Sequence, residues 1–256
     1  MPWAARRRFL ILLIIGAVIA AFLSVVLIAT ISKAPSCTDG IQNQNEAGID
    51  CGGPCSYLCT AQNQPPTVLY TQALEYGGGR TDIIASIENK NTTAAAKNVP
   101  YRITLYGKGQ ALIQEVTGTV DLPPGVSVPV YVPQIFSGKQ AVIGAFLNVA
   151  TSSVQWFSMT PNQRNVPLVS NTFQGGTLGA PRVQAVLTNP TVTSFSNVRM
   201  IVIVHNKNGD VIAASQTVVP SIPAQGQATA TFTWSAAFSA TPAAIEVVPI
   251  IPLPDR

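Results

Sequence analysis

The sequence predicts a mainly β protein with an N-terminal transmembrane α-helix, a small disulfide-rich module and two tandem β-sandwich domains. Three observations predict this architecture. Residues 9–31 form one uncharged apolar run, all four cysteines fall within residues 37–59, and short β-branched runs recur with a period near 100 residues beyond residue 66.

The apolar run at 9–31 has 23 residues without a charged side chain and directly follows Arg6, Arg7 and Arg8. As a helix it is roughly 34 Å long, which is enough to cross a hydrocarbon core of about 30 Å. Arginine clusters beside such helices favour the cytoplasmic side. We therefore predict a single-pass protein of the cell membrane, with residues 1–8 cytoplasmic, the helix in the lipid bilayer, and the C-terminal bulk extracytoplasmic.

Other interpretations of this run are weaker. A cleaved signal peptide has an apolar core of about 7–15 residues, which is shorter than this run, and no Ala-x-Ala site follows closely. The segment Ala34-Pro35-Ser36-Cys37 has a faint likeness to a lipoprotein cleavage site, but it contains a proline and lacks the expected upstream leucine. A buried helix of a soluble domain normally has a polar side. An uncleaved anchor is the prediction.

The charge distribution excludes a nucleic-acid partner. Of the 15 basic residues, four precede residue 34, so the remainder of the chain has eleven basic and eleven acidic residues. The net charge of +4 thus reflects the flanks of the helix, whereas nucleic-acid binding needs a basic surface.

The cysteine module spans residues 37–59, with cysteines separated by 13, 3 and 3 residues. Outside the cytoplasm, thiols oxidise and disulfides persist, so two bridges are predicted; four cysteines allow three pairings, and the sequence does not choose among them. A zinc site is the alternative, but structural zinc sites usually have two closely spaced cysteine pairs and favour reducing compartments. The predicted disulfide cysteines are Cys37, Cys51, Cys55 and Cys59.

Oxygen-bearing side chains crowd the same module and raise the hypothesis of a calcium ion. Counted from the first of them, three others fall at places 5, 7 and 12 of a calcium-binding loop, although place 3 is Ile41, the usual glycine at place 6 is missing and place 12 is not glutamate. The alternative is that these side chains form turns and cap backbone groups. The candidate ligands are Asp39, Asn43, Asn45, Glu46 and Asp50.

Beyond a polar linker at 60–66, the chain shows no helical periodicity. Segment 98–109 aligns with 197–208, and segment 83–89 parallels 183–189. A period near 100 residues is typical of one sandwich domain. We therefore predict sandwich domains at 67–160 and 168–250, a linker at 161–167 and a C-terminal tail at 251–256. Segment 200–204 is apolar on both faces and should be a central strand.

The cysteine module resembles a motif of bacterial and archaeal surface proteins, C-x-D-G-x-x-N-x-x-E-x-x-x-D-C-G-G-x-C, which residues 37–55 match except that Gln44 replaces a frequent glycine. The repeats resemble FxLYD-like and immunoglobulin-like domains, in which an apolar strand ends in Leu-Tyr-Asp; here the chain has Leu105-Tyr106-Gly107. With the anchor, the whole resembles a bacterial envelope protein. The resemblance implies a surface location and a binding or structural role.

No catalytic constellation is visible, so the chain is predicted not to be an enzyme. His205 is the single histidine and is expected to lie exposed at a strand end. Gly77-Gly78-Gly79 lacks the lysine and helix of a phosphate loop and should be a connection. Trp156 and Trp234 are expected to be buried in the sandwich cores.

The predicted function is a non-catalytic binding, adhesion or envelope-structural role with a protein or cell-envelope partner. The alternative is an accessory subunit of an envelope secretion or pilus-like complex, which contacts its partners through the transmembrane helix and the cysteine module. Small residues that allow close helix packing line one side of the helix. They are Gly16, Ala17, Ala20, Ala21 and Ser24.

Overall fold

The computed structural model describes residues 3–31, 36–76, 79–136, 140–163, 165–177 and 179–254. The chain divides into two compact units, Met1–Cys55 and Ser56–Arg256. The first holds the helix and most of the cysteine module, and the second holds the strands.

The N-terminal helix α1 spans Trp3–Ile31 and is the long apolar helix that the sequence predicts. Within it, Arg6–Ile28 is long and apolar enough to cross a membrane, which is the character of a membrane anchor or of a signal sequence. The helix begins six residues before the uncharged run, because arginine favours the helical state and the Arg7 guanidinium packs over the Trp3 ring at 5.6 Å.

The second unit consists of strands joined by short turns, including 3₁₀ turns at Thr60–Gln62, Lys108–Gln110, Thr151–Ser153 and Pro161–Gln163. The strands are β1 (Tyr57–Leu58), β2 (Thr67–Glu75), β3 (Arg80–Glu88), β4 (Ala94–Tyr106), β5 (Leu112–Leu122), β6 (Ser127–Phe136), β7 (Gly144–Val149), β8 (Trp156–Ser158), β9 (Leu168–Thr177), β10 (Ala180–Thr188), β11 (Phe195–His205), β12 (Val211–Ile222), β13 (Gln227–Thr233) and β14 (Ala244–Ile250).

The first sandwich packs two antiparallel sheets face to face. One sheet has the order β1-β8-β4-β5 with β7 also paired to β4, and the other has the order β2-β3-β6. Alternate residues of each strand fill the core between them, as in a half-buried strand with a period of two. Ile83, Ile87, Ile103 and Leu105 are completely buried there.

The second sandwich repeats this plan with sheets β13-β10-β9 and β12-β11-β14. Its core contains Val183, Leu187, Met200 and Phe232, all nearly or completely inaccessible to solvent. As the sequence predicts, segment 200–204 lies in a central strand, because β11 pairs with both β12 and β14.

A third apolar layer joins the two sandwiches. Ile84 of β3 points away from its own core and packs with Ile201 and Ile203 of β11, which also point away from theirs. Two hydrogen bonds cross the same contact: Gln72 Nε2 donates to the Val211 carbonyl at 2.8 Å, and the Tyr76 hydroxyl donates to the Ala214 carbonyl at 3.3 Å. The two-sided apolarity of β3 and β11 thus reflects packing against two different layers.

Buried asparagines show that the two sandwiches are copies of one plan. Asn89 and Asn189 follow β3 and β10, 100 residues apart, and both are completely buried. The Asn89 amide donates to the carbonyls of Ala94, Leu122 and Pro123 at 2.8, 3.3 and 2.8 Å. The Asn189 amide donates to the equivalent carbonyls of Thr193, Ile222 and Pro223 at 2.8, 3.3 and 2.9 Å.

Candidate functional site

The cysteine module is held by disulfides, as the sequence predicts. Cys37 and Cys55 are bonded, with their Cα atoms 5.6 Å apart. Cys51 and Cys59 are disulfide-bonded as well. Disulfide sulfurs are not thiolates, so this arrangement leaves no cysteine ligand for the alternative zinc site.

The aspartates among the candidate calcium ligands accept hydrogen bonds from the loop. Asp50 accepts the backbone N–H groups of Asp39 and Gly40 at 2.9–3.2 Å. Asp39 accepts the N–H of Ile41 at 2.9 Å and the side-chain amide of Asn43 at 3.0 Å. Both carboxylates therefore act as caps of turns.

Glu46 is the buried acid of the module. Its carboxylate accepts the N–H groups of Asn43 and Asp50 at 3.3 and 3.2 Å, and one oxygen lies 3.0 Å from the Cys55 sulfur. Asn45 is exposed, and its backbone is left-handed with φ 67°. Its carbonyl oxygen lies only 2.2 Å from the position that a Cβ atom on residue 53 would occupy, so this close approach requires Gly53. The Asn43 side-chain oxygen is buried without a hydrogen-bond partner. The calcium assignment stays a prediction.

An exposed apolar cluster lies at one end of the first sandwich. Around Tyr106, the last residue of β4, stand Leu112, Ile143 and Phe146, whose side chains are 59, 68 and 66% exposed. Tyr106 pairs with Leu112 across the β4–β5 ladder, its backbone carbonyl accepts the Ile143 N–H at 2.8 Å, and its ring meets the Phe146 ring edge to face at 5.8 Å. We call these four residues the apolar tip.

The apolar tip is remote from the point where the chain enters the second unit. Tyr57 and Leu58 of β1 pair with β8, which pairs with Ala94–Ala96 at the start of β4. Tyr106 lies ten residues further along the same strand, roughly 30 Å at about 3.3 Å per residue. The sequence predicts Tyr106 at the end of a strand but does not reveal the cluster, because its members come from three strands and a loop.

A polar groove of about 740 Å³ runs along the outer face of the same sheet. It contains Arg102, which approaches Glu115 at 3.9 Å, together with Thr104 and Asn148. Because β4 continues from this groove to Tyr106, the groove and the apolar tip lie on one sheet.

A second cavity, of about 200 Å³, opens between the two sandwiches. Its buried acid is Asp82, which accepts the Tyr131 hydroxyl and, at 2.8 Å, the Gln134 N–H. Burial and the neighbouring Asp82 carboxylate raise the pKa of the Tyr131 hydroxyl, so it stays protonated and donates at neutral pH. The sequence feature that could have pointed to Asp82 is a single acidic residue directly before the apolar run 83–85.

Trp156 and Trp234 are buried, as predicted: Trp156 lies in the first core and Trp234 in the second, where its indole N–H donates to the Ala214 carbonyl at 3.1 Å. His205 lies at a strand end but is only partly exposed, because its ring contacts the Gly209 carbonyl at 3.1 Å and Glu246 at 3.8 Å. Gly77 and Gly78 fall outside the described residues.

Comparison with known proteins identifies no family. No protein-family model matches the chain, and no curated protein matches it. Among solved structures, it aligns with a beta-glucuronidase from glycoside hydrolase family 2 at 9% identity and a TM-score of 0.22, over 79% of this chain and 25% of that one. The chain spans about a quarter of that enzyme, and a likeness this low carries no argument about function.

Proposed function

We propose that this is a membrane-anchored extracytoplasmic protein with a non-catalytic role, and that it binds another protein of the cell envelope through the apolar tip. Helix α1 fixes the chain in the membrane with residues 1–8 in the cytoplasm. The two sandwiches form the platform that presents the binding surface.

The apolar tip is the observation that carries this proposal. Single exposed apolar residues are common on soluble domains, but contiguous clusters with aromatic members are typical of interfaces. Leu112 is paired with Tyr106 across the β4–β5 ladder and the Phe146 ring meets the Tyr106 ring, so these three side chains form one surface, and exposed Ile143 lies at its edge, bonded to Tyr106 through the backbone. The ladder of β4 holds that surface in place, which lowers the entropic cost of binding.

The third apolar layer supports a role for both sandwiches together. A linker without contacts between the domains leaves them free to reorient. Here Ile84, Ile201 and Ile203 are almost completely buried between the sandwiches, so the two sandwiches move as one body.

Site-specific photo-crosslinking in intact cells tests the proposal. A photoreactive phenylalanine analogue replaces Phe146 in one strain and, as a control of high exposure, Val192 in another. We expect a discrete adduct with an envelope protein from position 146 and none from position 192. The Phe146→Asp variant should lose co-purification of that same protein, because a charge cannot enter an apolar contact without a large desolvation cost.

A third crosslinking position, Ala17 in α1, tests the alternative role as an accessory subunit. Adducts from position 17 with none from position 146 contradict the proposed surface and support assembly through the helix. Topology is tested separately: protease added to intact spheroplasts should digest the strand-rich unit, and protection of that unit contradicts the proposed orientation.

A further inference from the structure

The inter-sandwich cavity is lined by two side chains of opposite charge, Asp82 and Arg80. Asp82 is 9% exposed and accepts two hydrogen bonds, yet among the described residues no cationic nitrogen forms an ion pair with it. Arg80 also lines the cavity; it is exposed and, within the same part of the chain, forms no ion pair. A buried carboxylate that forms no ion pair is costly, so a cation bound directly against Asp82 is stabilised.

The two residues are neighbours on one face of a strand. Arg80 and Asp82 are two residues apart on β3, so their Cα atoms are about 6.6 Å apart, and both side chains line the cavity. One ligand that satisfies both has a positive and a negative group separated by a short linker.

The remaining wall suits an organic ammonium group. Tyr76, Tyr131 and Trp234 line the cavity next to Asp82. Aromatic rings attract ammonium groups through their π faces, most strongly where water is excluded. Burial raises the pKa of the Tyr76 hydroxyl, which keeps this wall neutral at physiological pH and leaves Asp82 as the acidic group facing the ligand.

We propose that this cavity binds a small zwitterion, with its ammonium group against Asp82 and the aromatic side chains and its phosphate or carboxylate group against Arg80. A volume of about 200 Å³ limits the ligand to roughly ten non-hydrogen atoms. At about 0.3 kcal/mol per atom, such a ligand binds in the millimolar range. This site is distinct from the apolar tip, and the inference does not depend on the proposed function.

Fluorine NMR of the full chain in maltoside micelles tests the proposal. The chain has three tryptophans, so replacing them with 5-fluorotryptophan gives three resonances, which Trp3→Phe and Trp234→Phe assign. Phosphocholine and γ-aminobutyrate serve as zwitterions with phosphate or carboxylate groups, and choline and inorganic phosphate serve as half-ligands. We expect a saturable shift of the Trp234 resonance with at least one zwitterion, weaker binding of both half-ligands, and an unmoved Trp156 resonance.

Charge variants assign the two ends of the ligand. Arg80→Gln should weaken zwitterion binding about tenfold while choline binding is unchanged, and Asp82→Asn should weaken both about tenfold. Arg102→Gln is the matched control, because Arg102 is an exposed arginine on the outer sheet of the same sandwich, and it should change neither. If Asp82→Asn fails to fold, the binding of zwitterions to Arg80→Gln and the binding of the two half-ligands to the parent protein still test the proposal.

Three results overturn the proposal. The first is the absence of a saturable Trp234 shift with either zwitterion up to about 100 mM, more than ten times the dissociation constant of several millimolar that about 3 kcal/mol gives. The second is inorganic phosphate that binds as tightly as phosphocholine. The third is an Arg80→Gln variant that binds zwitterions as tightly as the Arg102→Gln control.

Discussion

Replacing Asn89 with alanine should cost about 4 kcal/mol of the free energy of unfolding. The side-chain amide has two hydrogens, which are shared among three buried carbonyls, and its oxygen accepts the Asn91 N–H and the Asn91 side-chain amide, both at 3.0 Å. Alanine removes these two donated and two accepted hydrogen bonds, and each lost hydrogen bond costs about 1 kcal/mol net. The estimate applies equally to Asn189, whose amide donates at nearly the same distances and whose oxygen accepts the Thr191 N–H at 2.9 Å.

Urea unfolding of the full chain in maltoside micelles, followed by far-ultraviolet circular dichroism, measures this loss. With a slope of about 2 kcal/mol per molar urea, 4 kcal/mol lowers the midpoint by about 2 M. Asn89→Asp should be at least as destabilising, because its carboxylate oxygens face carbonyl oxygens where the amide donated. Asn148→Ala is the control, since Asn148 is exposed on β7, and it should stay within about 0.5 kcal/mol of the parent.

The reasoning is refuted if Asn89→Ala shifts the midpoint no further than Asn148→Ala. It is also refuted if Asn89→Asp unfolds at the parent midpoint, because the three carbonyls then do not depend on an amide donor. A large effect at Asn89 with none at Asn189 contradicts the equivalence of the two copies.

Three further predictions concern the interface, the tyrosines and the cysteine module. Ile203→Asp places a charge in the apolar layer between the sandwiches, so the two sandwiches should unfold in two separate urea transitions. The control Val218→Asp, at an exposed position on β12, should unfold in one transition, and a single transition in both variants contradicts a coupled interface. Burial and the Glu246 charge raise the pKa of Tyr70 to about 12, so the protonated hydroxyl's contribution to stability is complete below pH 10 and is lost as pH rises from 10 to 12. The Tyr70→Phe variant should therefore lose less stability than the parent over this pH range, and an equal loss in both proteins contradicts the prediction. Because the acidic side chains of the cysteine module already accept hydrogen bonds from backbone N–H groups, a calcium chelator should leave the midpoint of thermal unfolding unchanged. A lower midpoint with the chelator would support the calcium hypothesis instead.

Local patterns in the sequence predict most of the elements. The apolar run predicts helix α1, the apolarity of 200–204 on both faces predicts the central strand β11, and the shared spacing predicts two copies of one sandwich. These predictions succeed because each depends on residues close together in the chain.

Contacts between distant residues are less accessible to such reasoning. Apolarity on both faces of β11 predicts burial but does not say what covers each face, since hydrophobic attraction is non-directional. Asp82 and Tyr131 are 49 residues apart, and no local pattern joins them. The disulfide pairing has three solutions in sequence, and the backbone geometry that places Cys37 against Cys55 decides among them.

The position of β4 determines how the protein withstands mechanical force. This strand runs from the side of β8 to the apolar tip, and β5, β7 and β8 are hydrogen-bonded along its flanks. A pull on the tip against the N-terminal end of the unit therefore loads many of these bonds in shear at once, rather than opening them one after another. Such a strand resists separation, because rupture requires the simultaneous loss of several ladders.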